Sequence, residues 1–570
     1  MKPSYEQEEH EMKKTLSLIL IILMAFTAAN LWAGGSKEKA ETSTQTQTQT
    51  EITAESTITS EFTVELTSGD SSAFGGSYNS DGNYELTYKG TEEAVFTVSG
   101  LLEGTLIVKS DNADYTIVLN GADIRGQSLP AIQLKSETTC TFVLAEGTEN
   151  YVSDSSSNEK KGAITGSGDV EIEGSGSLTV SVYKKHGIKL DGGLTINSGN
   201  VTINGDENAE GNMISADVYF VMNDGSLAIR ANGSVYGEES KGIKVNGVEG
   251  EDRDCGYVEI NGGTIDIVSV GKAITAGWKA EDDAETEDTS DDPYAAVYIN
   301  GGYISITTTG TPYEVSDDES LSPEGIEGKN AVIINGGTIY ITTTDDSINA
   351  GDLVQFNGGY VYANATANDT IDSNGKLEIN GGTLIILNST NMEQGIDCDN
   401  DSNFSYTGGT FVAIGTGNNV PGSTDTSAYS LGYIGTTFKG GDEIAVLDEN
   451  SNVVIGFVVP DGITFTTIVF GSEDIQGNST YSIATGTFSG VEEKDSLVTA
   501  AKSFKVSKTL VTYTTTSFTS TNGTLGMNIG GNQNDFHGGF QGNFPSGQAP
   551  SGQMGGMPGF PGAMPWGPRF

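Results

Sequence analysis

The sequence predicts an all-β protein whose central part is a right-handed parallel β-helix, followed by a small C-terminal antiparallel β module. Composition is the first reason, because 570 residues include 77 glycines and 13 prolines, many Thr, Ile, Val and Asn residues, and no stretch with helical periodicity. The second is a repeat in which an alternating strand, Asn-Gly-Gly and another alternating strand recur through the middle of the chain. The third is an isoleucine motif that keeps step with this repeat.

The Asn-Gly-Gly repeat sets the predicted length of one coil. In its late copies the second glycine falls at positions 337, 359, 382 and 409, so successive copies are 22 to 27 residues apart. This length suits one three-stranded coil, in which apolar side chains stack inside and asparagines stack as a hydrogen-bonded ladder. Glycine permits the positive φ of the tight turn. The clearest copies begin at Asn261, Asn300, Asn335, Asn357 and Asn380.

The isoleucine motif favours stacked coils over β-hairpins. Asn-Gly between alternating strands is also typical of a type I′ hairpin, which stays open as an alternative. In hairpins, however, turn signals recur about every 8 to 12 residues without a second motif in step. Here four isoleucines precede the second glycine of their coil by 11 to 13 residues, and they are Ile326, Ile348, Ile371 and Ile396.

Composition also predicts the order of domains. A basic start at Lys13-Lys14, an apolar run and a small-residue cleavage site before Gly34 predict a signal peptide over 1–33. The run is short for a membrane span and no second one follows, so we expect no membrane span and a secreted, periplasmic or cell-surface location. The other predicted parts are a polar linker (34–60), the β-helix (61–415) with acidic insertions at 281–292 and 314–319, an antiparallel cap module (430–513) and a disordered tail rich in Gly, Pro and Met (514–570).

The formal net charge of −49 excludes partners that need a basic surface. Nucleic acid and anionic membranes are bound by replacing counterions with Lys and Arg, so we expect neither as a partner. An excess of carboxylates suits cation binding instead. The cysteines are too few and too scattered for a disulfide framework, and we expect all three, Cys140, Cys255 and Cys398, to pack inside.

Four segments of the chain resemble one known family. Over residues 80–513 the chain is similar to the secreted bacterial carbohydrate-binding β-helix proteins of the clostridial cellulose- and pectate-binding type. The resemblance implies a pectate-lyase-like solenoid, calcium sites and binding of plant-type polysaccharide without cleavage. The insertion at 281–292 and the long N-terminal linker depart from the family pattern, which leaves the polysaccharide open. The segments are Leu144–Asn150, Pro323–Gly328, Asp345–Ala350 and Thr370–Gly375.

The residue counts limit the catalytic alternatives. Of three histidines, His10 falls in the presequence and His537 in the predicted tail, so His186 alone remains for a triad or a zinc site. No phosphate loop is present, because no Gly-Lys pair is followed by Ser or Thr. Paired carboxylates leave glycosidase chemistry open. The main alternatives to binding are a structural adhesin and a calcium-dependent polysaccharide lyase, whose candidate bases are Lys189, Lys244 and Lys329.

Aligning the coils on the shared isoleucine predicts a metal site. The residue after this isoleucine is acidic or amide in four successive coils, and it should point outward. Carboxylates about 4.8 Å apart repel by about 3.5 kcal/mol at an effective dielectric of about 20, so such a column needs a counter-charge. Ca²⁺ takes roughly six to eight oxygen ligands. A solvated acidic ridge is the alternative. The predicted calcium ligands are Glu324, Glu327, Asp345, Asp346, Asn349, Asp369, Asp372, Asp397 and Asp399.

Tyrosines in the strands after Asn-Gly-Gly predict a sugar-binding face. The first and third positions after the motif alternate with buried residues and should therefore lie outside. Flat rings there offer an apolar platform for pyranose faces, although tyrosine is also simply a good strand former. We expect Tyr340→Ala with Tyr362→Ala to weaken retention on cellulose or pectate and leave thermal unfolding nearly unchanged. The predicted sugar-binding residues are Tyr303, Tyr340, Tyr360 and Tyr362.

Overall fold

The computed structural model describes residues 56–160, 162–236, 240–248, 254–277, 295–316, 319–390 and 392–526. These residues form an almost wholly β structure. The predicted signal peptide, the linker up to residue 55, the insertion at 281–292 and the tail beyond residue 526 lie outside the described residues. Within them, no helix has the length and apolar character needed to cross a membrane.

Six strands begin the structure: β1 (Thr63–Ser68), β2 (Phe74–Tyr78), β3 (Tyr84–Tyr88), β4 (Ala94–Leu102), β5 (Leu106–Ser110) and β6 (Tyr115–Arg125). β1 pairs antiparallel with β4, and β2 pairs antiparallel with β3. β3 and β4 then pair in parallel with β5 and β6, and this parallel pairing continues along the chain.

Each following coil has one strand on each of three faces. In chain order, the strands of the first, second and third faces are β7 (Ile132–Leu134), β8 (Cys140–Leu144), β9 (Glu149–Ser153); β10 (Gly162–Gly166), β11 (Val170–Gly174), β12 (Ser177–Val182); β13 (His186–Leu190), β14 (Leu194–Ile196), β15 (Asn200–Gly205); β16 (Ile214–Ala216), β17 (Tyr219–Met222), β18 (Ser226–Ala231); β19 (Ile243–Val245), β20 (Tyr257–Ile260), β21 (Thr264–Ser269); and β22 (Ile274–Ala276), β23 (Ala296–Ile299), β24 (Tyr303–Thr308).

A short antiparallel hairpin at the acidic insertion 314–319 interrupts the series: β25 (Tyr313–Ser316) and β26 (Glu319–Leu321). The coils then continue with β27 (Ile326–Gly328), β28 (Ala331–Ile334), β29 (Thr338–Thr343); β30 (Ile348–Ala350), β31 (Leu353–Phe356), β32 (Tyr360–Ala365); β33 (Ile371–Ser373), β34 (Lys376–Ile379), β35 (Thr383–Asn388); and β36 (Ile396–Asp397), β37 (Phe404–Tyr406), β38 (Thr410–Gly415). A single 3-10 turn, Asp401–Asn403, lies between β36 and β37.

The strands of each face pair in parallel and in register from coil to coil, which confirms the predicted parallel β-helix. The first face is a 13-stranded sheet from β2 to β36, and the second and third faces belong to a 26-stranded sheet. Alternate side chains point inward, so Ile348 and Ile371 stack in the core with no exposed surface. The three cysteines are buried, as expected.

Asparagine side chains form the predicted ladder at the corner between the second and third faces. Each amide nitrogen donates to the amide oxygen one coil back, and the last oxygen accepts from the Thr407 hydroxyl at 2.7 Å. Each bond therefore links one coil to the next and fixes the spacing of the coils. The six amide bonds are 2.8 to 3.0 Å long and join Asn197, Asn223, Asn261, Asn300, Asn335, Asn357 and Asn380.

The second glycine of the motif makes this corner possible. Gly337 has a φ of +89°, a conformation that side chains other than hydrogen rarely adopt. A Cβ atom there would lie 3.0 Å from the carbonyl oxygen of Gly301 in the preceding coil. A residue with a side chain would therefore be strained at this position by the backbone conformation and by the close approach of the preceding coil.

Seven strands form a module that ends the solenoid: β39 (Ser430–Lys439), β40 (Glu443–Leu447), β41 (Val453–Val458), β42 (Thr464–Gly471), β43 (Thr480–Lys494), β44 (Leu497–Thr514) and β45 (Thr519–Thr521). β42 pairs antiparallel with β38, and β40, β41, β44 and β43 close into a small barrel. The prediction of disorder from residue 514 is wrong at its start, because β45 pairs with β39.

The core of this module extends onto the outer side of the third face. Ile385 and Val412 point away from the solenoid interior, yet neither has exposed surface, and both pack with Phe457 and Phe465 of the module. Two apolar residues replace the polar outward residues of earlier coils such as Ser305. The module is therefore held on the solenoid by an apolar interface as well as by strand pairing.

We predict that Asn335→Ala lowers stability, because it removes one bond to Asn300 and one from Asn357. At about 0.5–1.5 kcal/mol per bond, the expected loss is about 1–3 kcal/mol. Chemical denaturation followed by tyrosine fluorescence measures it. Asn112→Ala serves as the control, because its side chain makes a single 3.2 Å bond to the Lys89 carbonyl outside the ladder. Equal midpoints for the two variants would show that the ladder adds nothing.

Candidate functional site

The first face carries the predicted acidic column. Glu327 lies beside Asn349, Asn349 beside Asp372, and Asp372 beside Asp397 on successive parallel strands. Asp372 stands between two fully buried residues, Ile371 and Ser373, and this alternation directs its side chain outward. The structure thus brings these four predicted ligands together in one row.

A second row of predicted ligands lies just before the shared isoleucine. Asp346 and Asp369 each stand two residues before it, and Asp345 lies next to Asp346. Asp346 accepts a long 3.4 Å bond from the amide of Asn349, while Asp345 accepts a 2.9 Å bond from the Asn368 amide. The two rows therefore contact each other and form one continuous acidic strip, which we call the carboxylate strip.

Sequence reasoning missed Gln394 as a member of this strip. Its backbone NH donates to Asp369 at 2.6 Å, and its side-chain amide donates to Asp397 at 2.7 Å. It occupies the position of Asp346 and Asp369 in the last coil. Asp399 is exposed at the end of the strip, where its backbone NH donates to Asp397.

The carboxylates of the strip repel one another. Burial, followed by the neighbouring charge of Asp397, raises the pKa of Asp369 to about 8. The same two causes raise the pKa of Asp372 to about 7. For Asp346, burial and then Asp372 raise the pKa well above its ordinary value. Since burial and like charge both oppose ionisation, these groups would be stabilised by a nearby cation.

Several buried oxygens near the strip make no hydrogen bond within the described part of the chain. They include one carboxylate oxygen of Asp346, whose side chain is 3% exposed, and the amide oxygen of Gln394. A buried acceptor without a partner costs about 1–3 kcal/mol, and more if charged, so such atoms usually face an ion or a water. The remaining ones are Oε2 of Glu324 and Oε2 of Glu327.

Two of the predicted calcium ligands already have a cationic partner. The Lys272 ammonium lies 2.8 Å from Glu324 and 2.9 Å from Glu327, and Lys329 lies 2.5 Å from Glu327. Burial favours the neutral form of both carboxyls, and it raises the pKa of Glu324 to about 7. At Glu327 burial is outweighed by Lys272 and Lys329, which hold its pKa below the ordinary value. Both glutamates therefore already have a counter-charge, and their role as calcium ligands stays a prediction.

Lys272 could have been found by extending the alignment one coil upstream. Ile274 pairs with Ile326, so Lys272 occupies the position that Glu324 takes in the next coil. The side chains are thus stacked neighbours of opposite charge. The strip divides accordingly into a lysine-neutralised end and a carboxylate end, which contains Asp345, Asp346, Asn349, Asp369, Asp372, Asp397 and Asp399.

The donor chemistry at the carboxylate end fits calcium. All the donors are carboxylate or amide oxygens, which this hard cation prefers. No Lys, Arg or His within the described residues forms an ion pair with Asp346, Asp369 or Asp372. As the side chains stand, however, no three Asp, Glu, His or Cys groups in the described chain converge closely enough to hold a metal ion. Binding would therefore require the mutually repelling carboxylates to move closer together around the ion.

The predicted tyrosines form a cluster on the third face. The ring centroids of Tyr303 and Tyr340 are 5.9 Å apart, and those of Tyr340 lie 6.0 Å from both Tyr360 and Tyr362. In-register pairing of β24, β29 and β32 places these rings on three successive coils. The expectation that the four side chains meet is confirmed.

The cluster is not the open platform that the sequence suggested. The turn between β43 and β44 lies on it, and the Asp495 carboxylate accepts hydrogen bonds from Tyr340 at 2.9 Å and Tyr360 at 2.6 Å. The Lys494 ammonium is 3.2 Å from the centre of the Tyr360 ring. Tyr360 and Tyr362 also pack against the core of the C-terminal module. Loss of Tyr340 and Tyr362 would remove contacts to the C-terminal module, so we now expect it to lower the unfolding temperature.

These features define a class: a parallel β-helix solenoid with an acidic strip on one face and tyrosines on another. The sequence profile of carbohydrate-binding domain-containing proteins matches residues 80–368, which is half of the chain, and the chain belongs to that family. This confirms the family resemblance read from the sequence.

One curated relative and one solved structure illustrate the comparison. A carbohydrate-binding domain-containing protein of Acetivibrio thermocellus is 28% identical over 129 residues, which are 21% of this chain and 45% of the relative. The chain thus matches less than half the length of that relative. A gadolinium derivative of a polysaccharide lyase-like protein from C. thermocellum is 17% identical, with 52% of this chain and 87% of that chain covered. Its TM-score of 0.26 is too low to support an argument.

We predict that Lys272→Met destabilises the protein by about 3–5 kcal/mol, because it leaves buried carboxylates without their shared cation. Adding Glu324→Gln and Glu327→Gln should restore part of the loss, since no buried charge then remains. Urea unfolding measures all three proteins. Lys184→Met is the control, because its 3.1 Å pair with Glu210 is far more accessible to solvent than the Lys272 pairs and contributes about 1 kcal/mol or less. A triple variant weaker than Lys272→Met would contradict this account.

Proposed function

We propose that this protein binds polysaccharide in a calcium-dependent manner and does not cleave it. The observation that carries the proposal is the carboxylate end of the strip, where Asp346, Asp369 and Asp372 form no ion pair with Lys, Arg or His among the described residues. Membership of the carbohydrate-binding domain-containing family supports polysaccharide as the ligand class. Cellulose-like and pectate-like chains are the two candidates.

Calcium would be held by residues of three successive coils. Asp346, Asn349, Asp369, Asp372 and Asp397 supply oxygens at neighbouring positions along the strip. When bound, calcium would neutralise these carboxylates and leave coordination positions for a sugar carboxylate or hydroxyl. The short strands fix the backbone of these donors, so only their side chains need to rearrange around the ion.

The expected affinity for calcium follows from the proposed location of the protein. The sequence predicts export, and we propose that the protein acts outside the cytoplasm. Extracellular calcium modules bind the ion with Kd values of about 10⁻⁴–10⁻³ M. An affinity in this range would suffice here, and it agrees with donors that must rearrange before they surround the ion.

Calorimetric titration with calcium tests the metal site. Wild-type protein should take up calcium and unfold at a higher temperature in its presence, because a ligand of the folded state stabilises that state. Asp372→Asn combined with Asp397→Asn should abolish one or more equivalents and most of the thermal shift. Asp425→Asn is the matched control, since Asp425 is exposed and outside the strip. Identical titrations of the wild-type and double-variant proteins would reject the site.

A calcium-dependent lyase is the main alternative, and the candidate bases do not favour it. A lyase needs a basic group free to take a proton from the sugar. The Lys189 ammonium instead lies 2.7 Å from Asp217, and that of Lys329 lies 2.5 Å from Glu327. The remaining histidine, His186, is buried and accepts a 2.9 Å bond from the Asn212 backbone. These groups have structural partners, which supports binding without cleavage.

We predict no turnover of polygalacturonate or neutral glucan in the presence of calcium. Lyases leave an unsaturated product that absorbs ultraviolet light, and hydrolases release reducing ends, so both signals should stay at the level of buffer. A pectate lyase measured in parallel shows that the assay works. A steady rise that the Asp372→Asn, Asp397→Asn variant loses would establish catalysis at the strip instead.

A further inference from the structure

The turn that joins β43 and β44 is fixed in place beside the tyrosine cluster. Asp495 and Ser496 have φ values of +49° and +73°, as in a tight two-residue hairpin turn. The Ser496 carbonyl accepts a 2.8 Å bond from the Val458 backbone, and Leu497 is buried opposite Phe457. The turn is therefore fixed by contacts with the barrel to which it belongs, and it forms a rigid side of the tyrosine cluster.

One ring of the cluster stays exposed to solvent beside this turn. Tyr303 is 47% exposed and lies next to Tyr340, the ring whose hydroxyl bonds to Asp495. Both tyrosine hydroxyls that meet Asp495 use its Oδ2 atom. Within the described chain, the other carboxylate oxygen of Asp495 has no hydrogen-bond partner, and no Lys, Arg or His pairs with this side chain. An open aromatic ring and the Asp495 carboxylate thus both lie next to Tyr340.

We propose that Tyr303, Tyr340 and Asp495 form a subsite for an uncharged hexopyranose chain, and that this subsite works without calcium. The proposal rests on the polysaccharide-binding function proposed above. An aromatic ring packs against the apolar C–H surface of a pyranose. The available oxygen of Asp495 accepts hydrogen bonds from sugar hydroxyls, and these bonds are strong because the acceptor is charged. Ring and carboxylate together select a ligand with both an apolar face and hydroxyl groups at its edge.

The local charge selects against uronate polymers. Glu492 and Glu493 stand on the same hairpin beside Asp495, and the chain as a whole carries a formal charge of −49. A sugar carboxylate placed here would meet like charges without a metal to bridge them. Lys494 does not offer it a free counter-charge, because its ammonium lies over the Tyr360 ring. At the carboxylate strip, in contrast, calcium would bridge two anions.

The two sites occupy different faces of the solenoid. The tyrosines belong to β24 and β29 on the third face, whereas the carboxylate strip follows the first face. No member of the subsite is a proposed calcium ligand. Removal of calcium should therefore abolish binding of uronate polymers and leave binding of neutral polymers intact.

Affinity electrophoresis tests this division. Native gels contain hydroxyethylcellulose, polygalacturonate, chitosan or no polymer, each with calcium or with a chelator. Wild-type protein should be retarded by hydroxyethylcellulose in both conditions and by polygalacturonate with calcium alone. Tyr303→Ala and Asp495→Asn should each weaken retention on hydroxyethylcellulose about tenfold, as expected for loss of a stacking surface or of one charge-assisted bond. Retention on polygalacturonate with calcium should not change.

The controls separate this subsite from the general function. Tyr78→Ala removes another exposed tyrosine, 53% accessible on β2, and should change nothing. Thermal unfolding of Asp495→Asn checks the hairpin, and Tyr303→Ala provides an independent test because Tyr303 makes no bond to it. Unchanged retention of both variants, loss of neutral binding on chelation, or stronger binding of chitosan would overturn the subsite, while calcium-dependent binding of polygalacturonate would still stand. Absence of retardation by every polymer would overturn both proposals.

Discussion

Stacking of equivalent residues at a fixed spacing is the constraint on which the rest of this structure depends. Every coil is hydrogen-bonded in register to the next, and the asparagine ladder repeats that spacing in side chains. The nearest outer neighbours of a residue are consequently its counterparts one coil away. The character of a face is therefore set by columns of residues 22 to 52 positions apart rather than by contiguous sequence.

The same rule accounts for both electrostatic regimes of the first face. In the column two positions before the shared isoleucine, Lys272 is followed by Glu324 and then by Asp346 and Asp369. Where the sign of the charge changes, stacking produces a buried ion pair between Lys272 and Glu324. Where the sign repeats, stacking brings carboxylates together and raises their pKa values. The same stacking geometry thus produces both the lysine-neutralised end of the strip and its carboxylate end.

The sequence predicts those features that follow from the local period. The β-helix, the ladder and the acidic column were accessible because each depends on a motif recurring in step. Lys272 was not predicted because the insertion at 281–292 separates its coil from the regular ones. The cover over the tyrosines could not be inferred, since Asp495 lies 135 and 155 residues from Tyr360 and Tyr340 in a module without repeats. The one available signal was local: Ile385 and Val412 are apolar at outward positions, which suggests that something packs on them.

The ladder also decides where a chain of this kind can change its length. From β14 to β38, three residues always separate the second-face strand of a coil from its third-face strand. At the other two corners the connections vary widely: β21 leads to β22 through four residues, whereas β24 leads to β27 through seventeen that include a hairpin. An insertion at the asparagine corner would displace one asparagine from the ladder and break its amide hydrogen bond to the next coil. Evolution can therefore elaborate loops along two edges of the molecule, and the third edge stays straight because every coil must contribute the same three residues to it.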